Sequence, residues 1–265
     1  MQMKNSLFFS FAVIMISALG MVTLPARAQR VEEVLVPGAD EQLMALANRA
    51  RAENGARPLR WDPQLAEAAR QHCLRMAEEG PIAHRYNGEL GLSDRAGHAG
   101  AHFSLIEENV AIGPTPAEVH DEWMHSPGHR ANLLNPQVDR VGISVVRARG
   151  VLYATADYSR SVEVMSRNAI EQHIADLIRV SGLKIYQDPL PARAACATDS
   201  GMPTSHGGPQ ATFVMRWQGS TVDELPNVLR SKLASGRFHM ASVGSCPAQG
   251  VEGSFSAYRL AVLLY

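Results

Sequence analysis

Apolar residues recur at helical spacing in two early stretches of the chain. Leu43, Leu46, Ala47 and Ala50 form the first stripe, with Asp40 placed to cap its start and Asn54-Gly55 to stop it. Leu65, Ala68, Ala69, His72, Cys73 and Met76 form the second, opened by Asp62-Pro63 and closed by Gly80-Pro81. Residues 85–106 carry Gly and His without a clear period, and "EENVAIG" follows over 107–113. Thr115-Pro116-Ala117-Glu118 is a capping box that begins a third helix, with Val119, Trp123 and Ser126 on one face. Ser126-Pro127 reads as the start of another short helix: Ser126 at the N-cap, Pro127 first, His129 third, and Asn135-Pro136 at the close. Residues 141–146 and 152–158 alternate around Arg149-Gly150, which predicts a β-hairpin.

The pattern begins again after Arg160. Residues 169–180 and 225–233 read as helices, and 213–217, 238–243 and 255–265 as strands. The last strand is continuously apolar, so it is expected to be buried. Residues 187–210 are rich in Pro, Gly and Ser and read as a loop. The expected fold class is α+β: a larger domain over 29–160, followed by a small α+β domain over 161–265.

The first residues read differently. Lys4 precedes an apolar run from Leu7 to Leu24, and Ala26-Arg27-Ala28 supplies small residues at a cleavage site. That predicts a secretory signal over 1–28 and a secreted or periplasmic chain. The run approaches the length of a spanning helix, so an uncleaved anchor is the competing reading. No later stretch is long and apolar enough to cross a bilayer, so no span is expected in the mature chain.

Charge narrows the partners. The whole chain carries 25 Lys and Arg against 26 Asp and Glu. Removing Lys4 and Arg27 with the signal leaves 23 basic residues against the same 26 acidic ones, a net of −3. There is no basic stripe, and aromatics are 6%, so nucleic acid is not expected as a partner. Of three cysteines, Cys196 and Cys246 share the C-terminal third and are expected to pair in an oxidising compartment. Cys73 lies on an apolar helix face and reads as a buried free thiol.

One ordered set of segments carries more information than any of its parts. "NRARAENGARPLRWDPQLAEAARQHCLRMAEEG", the His84 loop, "EENVAIG", "EWMHSPGHRANLLNP", "VGISV" and "LYATADY" occur in that order between about residues 40 and 160. This set resembles the CAP superfamily of cysteine-rich secretory, antigen 5 and pathogenesis-related 1 proteins (SCP-like extracellular domains), in its bacterial branch. The resemblance implies an α-β-α sandwich with a central cleft, around which many members place two histidines and two acidic residues. His84 matches the first histidine, Glu108 the first glutamate and His129 the second histidine. The second glutamate would fall three positions after Trp123, where this chain has Ser126. Three of four groups are kept.

The implied site is a ligand-binding cleft formed by His84, Glu108 and His129. Two imidazoles and a carboxylate can also hold zinc or another divalent metal with one position open. A third helical position places His129 at the positive end of the dipole, which disfavours imidazolium and suits a ligand or base. The implied partners are a small molecule, a lipid, a cell-wall component or a protein. Two other readings stand beside this one: a metal-assisted, peptidase-like hydrolase using the same cleft, and a non-catalytic interaction module of the cell envelope. A buried hydrogen-bond cluster with a structural role would use the same residues. Asn109 is expected to hold the loop after Glu108, Ser126 to cap with its hydroxyl, and Trp123 to anchor the core. His72 reads as a core residue, His98 and His102 as loop positions, and His120 and His125 as exposed. His173, His206 and His239 have no expected role.

Nucleophilic catalysis finds no motif. There is no Gly-x-Ser-x-Gly, and Cys73 sits where a thiolate is disfavoured.

Overall fold

A computed structural model of the chain describes residues 34–203, 208–249 and 254–265. The expected signal at 1–28, and His206, lie outside the described residues. The described residues form one compact unit. In chain order its elements are β1 (Val34–Leu35), α1 (Ala39–Glu53), β2 (Arg60–Trp61), α2 (Pro63–Glu79), α3 (Leu92–His98), β3 (Phe103–Gly113), α4 (Pro116–His125), α5 (Pro127–Leu134), β4 (Arg140–Ala148) and β5 (Val151–Ser161). Then come α6 (Arg167–Arg179), β6 (Lys184–Ile185), α7 (Leu190–Cys196), β7 (Phe213–Gly219), α8 (Asn227–Leu233), β8 (Met240–Cys246) and β9 (Tyr258–Leu264). None of the described helices is long and apolar enough to cross a membrane.

The strands form two sheets. The first runs β1-β4-β5-β3, with β2 pairing β4; the second runs β6-β8-β9-β7. The β4–β5 hairpin turns at Arg149 and Gly150, whose φ values of 50° and 82° match the right-handed twist of the strands. The first core gathers Leu43, Trp123, Leu133, Ile143 and Tyr158, with α1, α4 and α5 on one face of the sheet. On the other face α2 lies so close to β4 that a Cβ on Gly142 would come within 2.0 Å of the Ala66 amide nitrogen. The second core gathers Ile174, Ile178, Leu229, Leu260 and Val262.

Several local expectations need correction. Gly38 in the left-handed region, not Asp40, stands at the N-cap of α1, and Asp40 lies in its first turn. Ser126 occupies the N-cap of α5, yet its hydroxyl makes no capping hydrogen bond. Residues 103–113 are a long strand, so Asn109 holds no loop. The stretch 187–210 contains helix α7, which begins right after Pro189. Cys196 and Cys246 are joined as expected, and the bond links the end of that helix to the end of β8. Cys73 is buried and free, and burial pushes its thiol up to about 12.

Candidate functional site

The site is built on β3, an edge strand of the first sheet among the described residues. Alternation along a strand sends neighbouring side chains to opposite faces. Glu108 therefore points to the α2 side and Asn109 to the α5 side. Glu108 stands directly across from Asp157 on β5, and Asp157 in turn across from Gly142 on β4. The close seat of α2 over Gly142 encloses this row, and the Glu108 side chain is only 3% exposed.

Glu108 is the hub. One oxygen, Oε1, accepts from His84 Nδ1 at 2.8 Å. The other, Oε2, pairs with the buried guanidinium of Arg95 from α3. His72 of α2 lies behind, its Nε2 4.0 Å from Glu108 Oε2 and 2.9 Å from the Ala83 carbonyl. Its Nδ1 is 2.6 Å from Glu89 Oε1, and Arg95 Nη1 is 3.7 Å from that same oxygen. Glu89 Oε2 also accepts from the Tyr86 amide. Burial, and then the negative charge of Glu108, hold the Asp157 carboxyl well above the usual carboxylate range. Asp157 is thus a neutral acid beside an ion pair, with the Glu108 carboxylate placed to accept a hydrogen bond from it.

His129 reaches the same place from the opposite face. Asn109 Nδ2 donates to the His129 carbonyl at 2.8 Å, and Asn132 Nδ2 donates to Asn109 Oδ1 at 3.0 Å and to the Glu108 carbonyl at 3.1 Å. These bonds fix the start of α5 against β3. The His84 and His129 rings then stand 6.3 Å apart, centre to centre, tilted by 58°. The hydrogen bond to Glu108 raises the pKa of His84, against a smaller opposing effect of burial. Burial lowers that of His129, and the charge of His84 adds to it. Over the pH range between them, His84 is an imidazolium and His129 a neutral imidazole. The Nδ1 of His129 is buried with no partner among the described residues.

So the structure brings His84, Glu108 and His129 together. Sequence reasoning missed Arg95 and Asp157 altogether and placed His72 in the core without its carboxylate partner. Trp123 is fully buried as an anchor, and Ser126 marks the start of α5 without joining the site. His120 is half-buried, not exposed, with Nε2 unpartnered among the described residues and its pKa lowered by burial. His98 lies at the end of α3, where its Nδ1 is 2.8 Å from the Asp94 carbonyl.

A three-ligand metal does not fit this arrangement. Both oxygens of Glu108 are already used, one by His84 and one by Arg95, whose positive charge opposes a cation at the same carboxylate. Among the described residues no group of three or more His, Cys, Asp or Glu is set to hold a metal ion.

Residues 44–158 match the family model CAP, described as the Cysteine-rich secretory protein family. Two proteins of Bacillus subtilis (strain 168) are similar over the same region. YkwD is 30% identical over 113 residues, which cover 42% of this chain and 44% of that protein. The membrane protein YlbC is 32% identical over 112 residues, covering 41% of this chain and 32% of that protein. The chain thus spans less than half the length of either relative. Among solved structures, an extracellular protein containing a SCP domain from Bacillus anthracis str. Ames is 29% identical, with a TM-score of 0.44 and coverage of 47% of this chain and 41% of that one. An outer surface protein from Borrelia burgdorferi is 19% identical, with a TM-score of 0.46 and coverage of 49% of this chain and 98% of that one.

Proposed function

We propose that the protein, matched over residues 44–158 by the model of the cysteine-rich secretory protein family, is a secreted binding protein whose cleft holds a hydroxyl-bearing ligand between His84 and His129. One observation carries the reading. His84 is anchored through Nδ1 on a buried carboxylate while its side chain stays 58% exposed, and the His129 ring stands 6.3 Å away, centre to centre. An imidazolium donates and a neutral imidazole accepts, so the pair offers one of each to a single hydroxyl. Cell-wall glycans supply such hydroxyls in quantity and are the class we favour over a lipid or a protein partner. The apolar run and Ala-x-Ala site at 1–28 support secretion.

The test is an NMR titration of the two histidine rings with soluble cell-wall glycan fragments, with zinc chloride in a parallel series. Glycan-dependent shifts at both rings, lost in His84→Ala and His129→Ala, are the expected result. No shift at either ring with glycan sinks this reading. Stoichiometric zinc binding abolished by either substitution would replace it with a metal site.

A hydrolytic reading has one observation in its favour: the Glu108–His84 pair has the carboxylate–imidazole arrangement of a general base. Casein-type hydrolysis that disappears in His84→Ala would establish it, and activity that survives the change would exclude it.

A further inference from the structure

Apart from β1, which pairs with β4 in the first sheet alone, the two sheets have the same wiring. In the first, β2 pairs β4 in parallel, β4 pairs β5 antiparallel and β5 pairs β3 antiparallel. In the second, β6 pairs β8 in parallel, β8 pairs β9 antiparallel and β9 pairs β7 antiparallel. The helices fall in step: α1 and α6 precede the short strand, α2 and α7 follow it, and α4 and α8 lie between the later strands. The residues agree as well. Asp62-Pro63 with Ala66, Ala68 and Ala69 recurs at the same intervals as Asp188-Pro189 with Ala192, Ala194 and Ala195. In both, the aspartate Oδ1 accepts from the amide two residues on, at 2.9 Å from Gln64 and 3.0 Å from Leu190. Pro116, Val119 and Trp123 are spaced like Pro226, Leu229 and Leu233.

A glycine seats the helix on the sheet each time. Gly142 lies under Ala66, and a Cβ on Gly244 would come within 2.2 Å of the Arg193 amide nitrogen. The pair Arg60–Arg140 corresponds to Lys184–Met240, which puts Gly142 on Ser242 and the second seat two residues further along its strand. The turn before α7 is longer by the matching two residues, Tyr186 and Gln187.

That correspondence locates the counterpart of the site. The row Gly142–Asp157–Glu108 falls on Ser242–Leu263–Val214, and the same step carries Gly113–Leu152 onto Gly219–Tyr258. Leu263 and Val214 belong to an apolar cluster with Ala192, Ala195, Cys196 and Ala261. The second unit has an apolar row where the first has its carboxyl groups.

The second unit has also gained something. Its β8–β9 connection spans 247–257, where the first unit turns at Arg149-Gly150. The end of that connection lies on α3 and the start of β3. The Ser256 amide donates to the Phe103 carbonyl at 2.8 Å, and Phe255 meets Phe103 edge-on at 5.2 Å. Ser254 lies so close to Gly97 that a Cβ there would be 2.2 Å from its own. Phe255 thereby completes the small core of Leu65, Ala68, Ala96 and Phe103, and Ala96 is the neighbour of Arg95.

We propose that residues 167–265 are a second, degenerate copy of the CAP fold, emptied of its carboxylate row, whose work in this protein is to hold α3, and with it Arg95, beneath Glu108. Arg95, Phe255 and Ser254 are positioning residues: they act on the cleft through Glu108 and do not face it. The positioning half rests on the binding reading, but its test needs no ligand.

Two experiments on the full chain decide it. If the rows are equivalent, the apolar row can be moved into the first copy. The triple variant Glu108→Val, Asp157→Leu, Arg95→Met should then melt within roughly 5 °C of wild type or above it, because apolar replacement of a buried ion pair is commonly neutral or better. Failure to fold, or a fall of more than roughly 5 °C, overturns the equivalence. For the positioning role, hydrogen exchange at the Arg95 guanidinium is read by NMR. Phe255→Ala should speed it at least tenfold while β9 amides stay protected, Phe255→Leu should restore it, and Leu229→Ala, in the second core away from α3, should leave it unchanged. Unchanged exchange in Phe255→Ala, or equal acceleration by Leu229→Ala, overturns the positioning role. A protein that passes both and binds no glycan loses the binding reading and keeps this one.

Discussion

Asp157 stands directly opposite Glu108 in the β3–β5 ladder, and the two carboxyl groups share one buried row in different protonation states. Glu108 is matched by Arg95 and His84, whereas Asp157 is held neutral by burial and by its neighbour's charge. An acid whose folded pKa is raised binds a proton that the unfolded chain has released. Stability attributable to Asp157 is therefore fully present below the ordinary aspartate range and falls as pH rises, by at most about 1.4 kcal/mol per pH unit. Asp157→Asn should remove that slope. Urea unfolding at pH 4.5 and pH 7.5 should show a smaller loss across the interval in the variant than in wild type. Parallel pH dependence in the two proteins would refute the assignment.

Arg95 is the sole guanidinium against Glu108 in the described residues, and both side chains are 3% exposed. Arg95→Gln strips the buried charge and leaves Glu108 with only the solvent-exposed His84 as a charged hydrogen-bond partner. A loss of about 3–5 kcal/mol is expected, the usual cost of breaking one side of a buried pair. Denaturant titration measures it, and a loss below about 1 kcal/mol would mean that water reaches the pair.

The two site histidines should titrate in a fixed order, His84 above the ordinary histidine value and His129 below it. For His84 the stabilising contribution is complete below the unfolded pKa and is lost as pH rises through the folded one. Its side chain is 58% exposed, so that contribution is small and the order of titration is the better observable. Ring-proton NMR checks the order. Glu108→Gln should bring His84 down toward the ordinary value.

The Cys196–Cys246 bond closes a separation of 50 residues around α8 and β7. Chain entropy for a loop of that size predicts that reduction costs about 4 kcal/mol. The loss should appear first in hydrogen exchange of β8 and β9, because the bond ties α7 to β8. Uniform loss of protection across both sheets would show instead that the whole compact unit unfolds as one.

Much of this architecture can be read from the chain, for reasons that differ by element. Helices α1, α2, α4 and α6 announce themselves through apolar period, and α2 and α4 through their caps as well, where Asp62 and Thr115 accept the amide bonds that their positions imply. Strand β3 hides because Glu107 and Glu108 are adjacent and break the apolar alternation. Each is held by a distant partner, Asn135 for Glu107 and Arg95 for Glu108. In the site, His84, Glu108 and His129 come from the ordered family segments. Asp157 is invisible in "LYATADY" because an aspartate in an alternating strand reads as facing water. Strand β5 is covered on both faces, so that position is fully buried. An acidic residue in a strand expected to be buried on both sides is the signal that would have found it. Arg95 lies in an aperiodic stretch and shows its role only through the fold.

The buried thiol of Cys73 has a consequence for how such a chain acquires its disulfide. An odd cysteine invites mispairing when oxidation begins, and each wrong bond must later be exchanged through a thiolate. Cys73 lies beneath α2 against Val146 and Tyr153, donates to the Tyr153 carbonyl at 3.0 Å, and ionises only near pH 12. The half of the chain that carries it is also synthesised first. Once α2 closes over the sheet, oxidation meets a chain with two reactive sulfurs instead of three, and a single pairing remains.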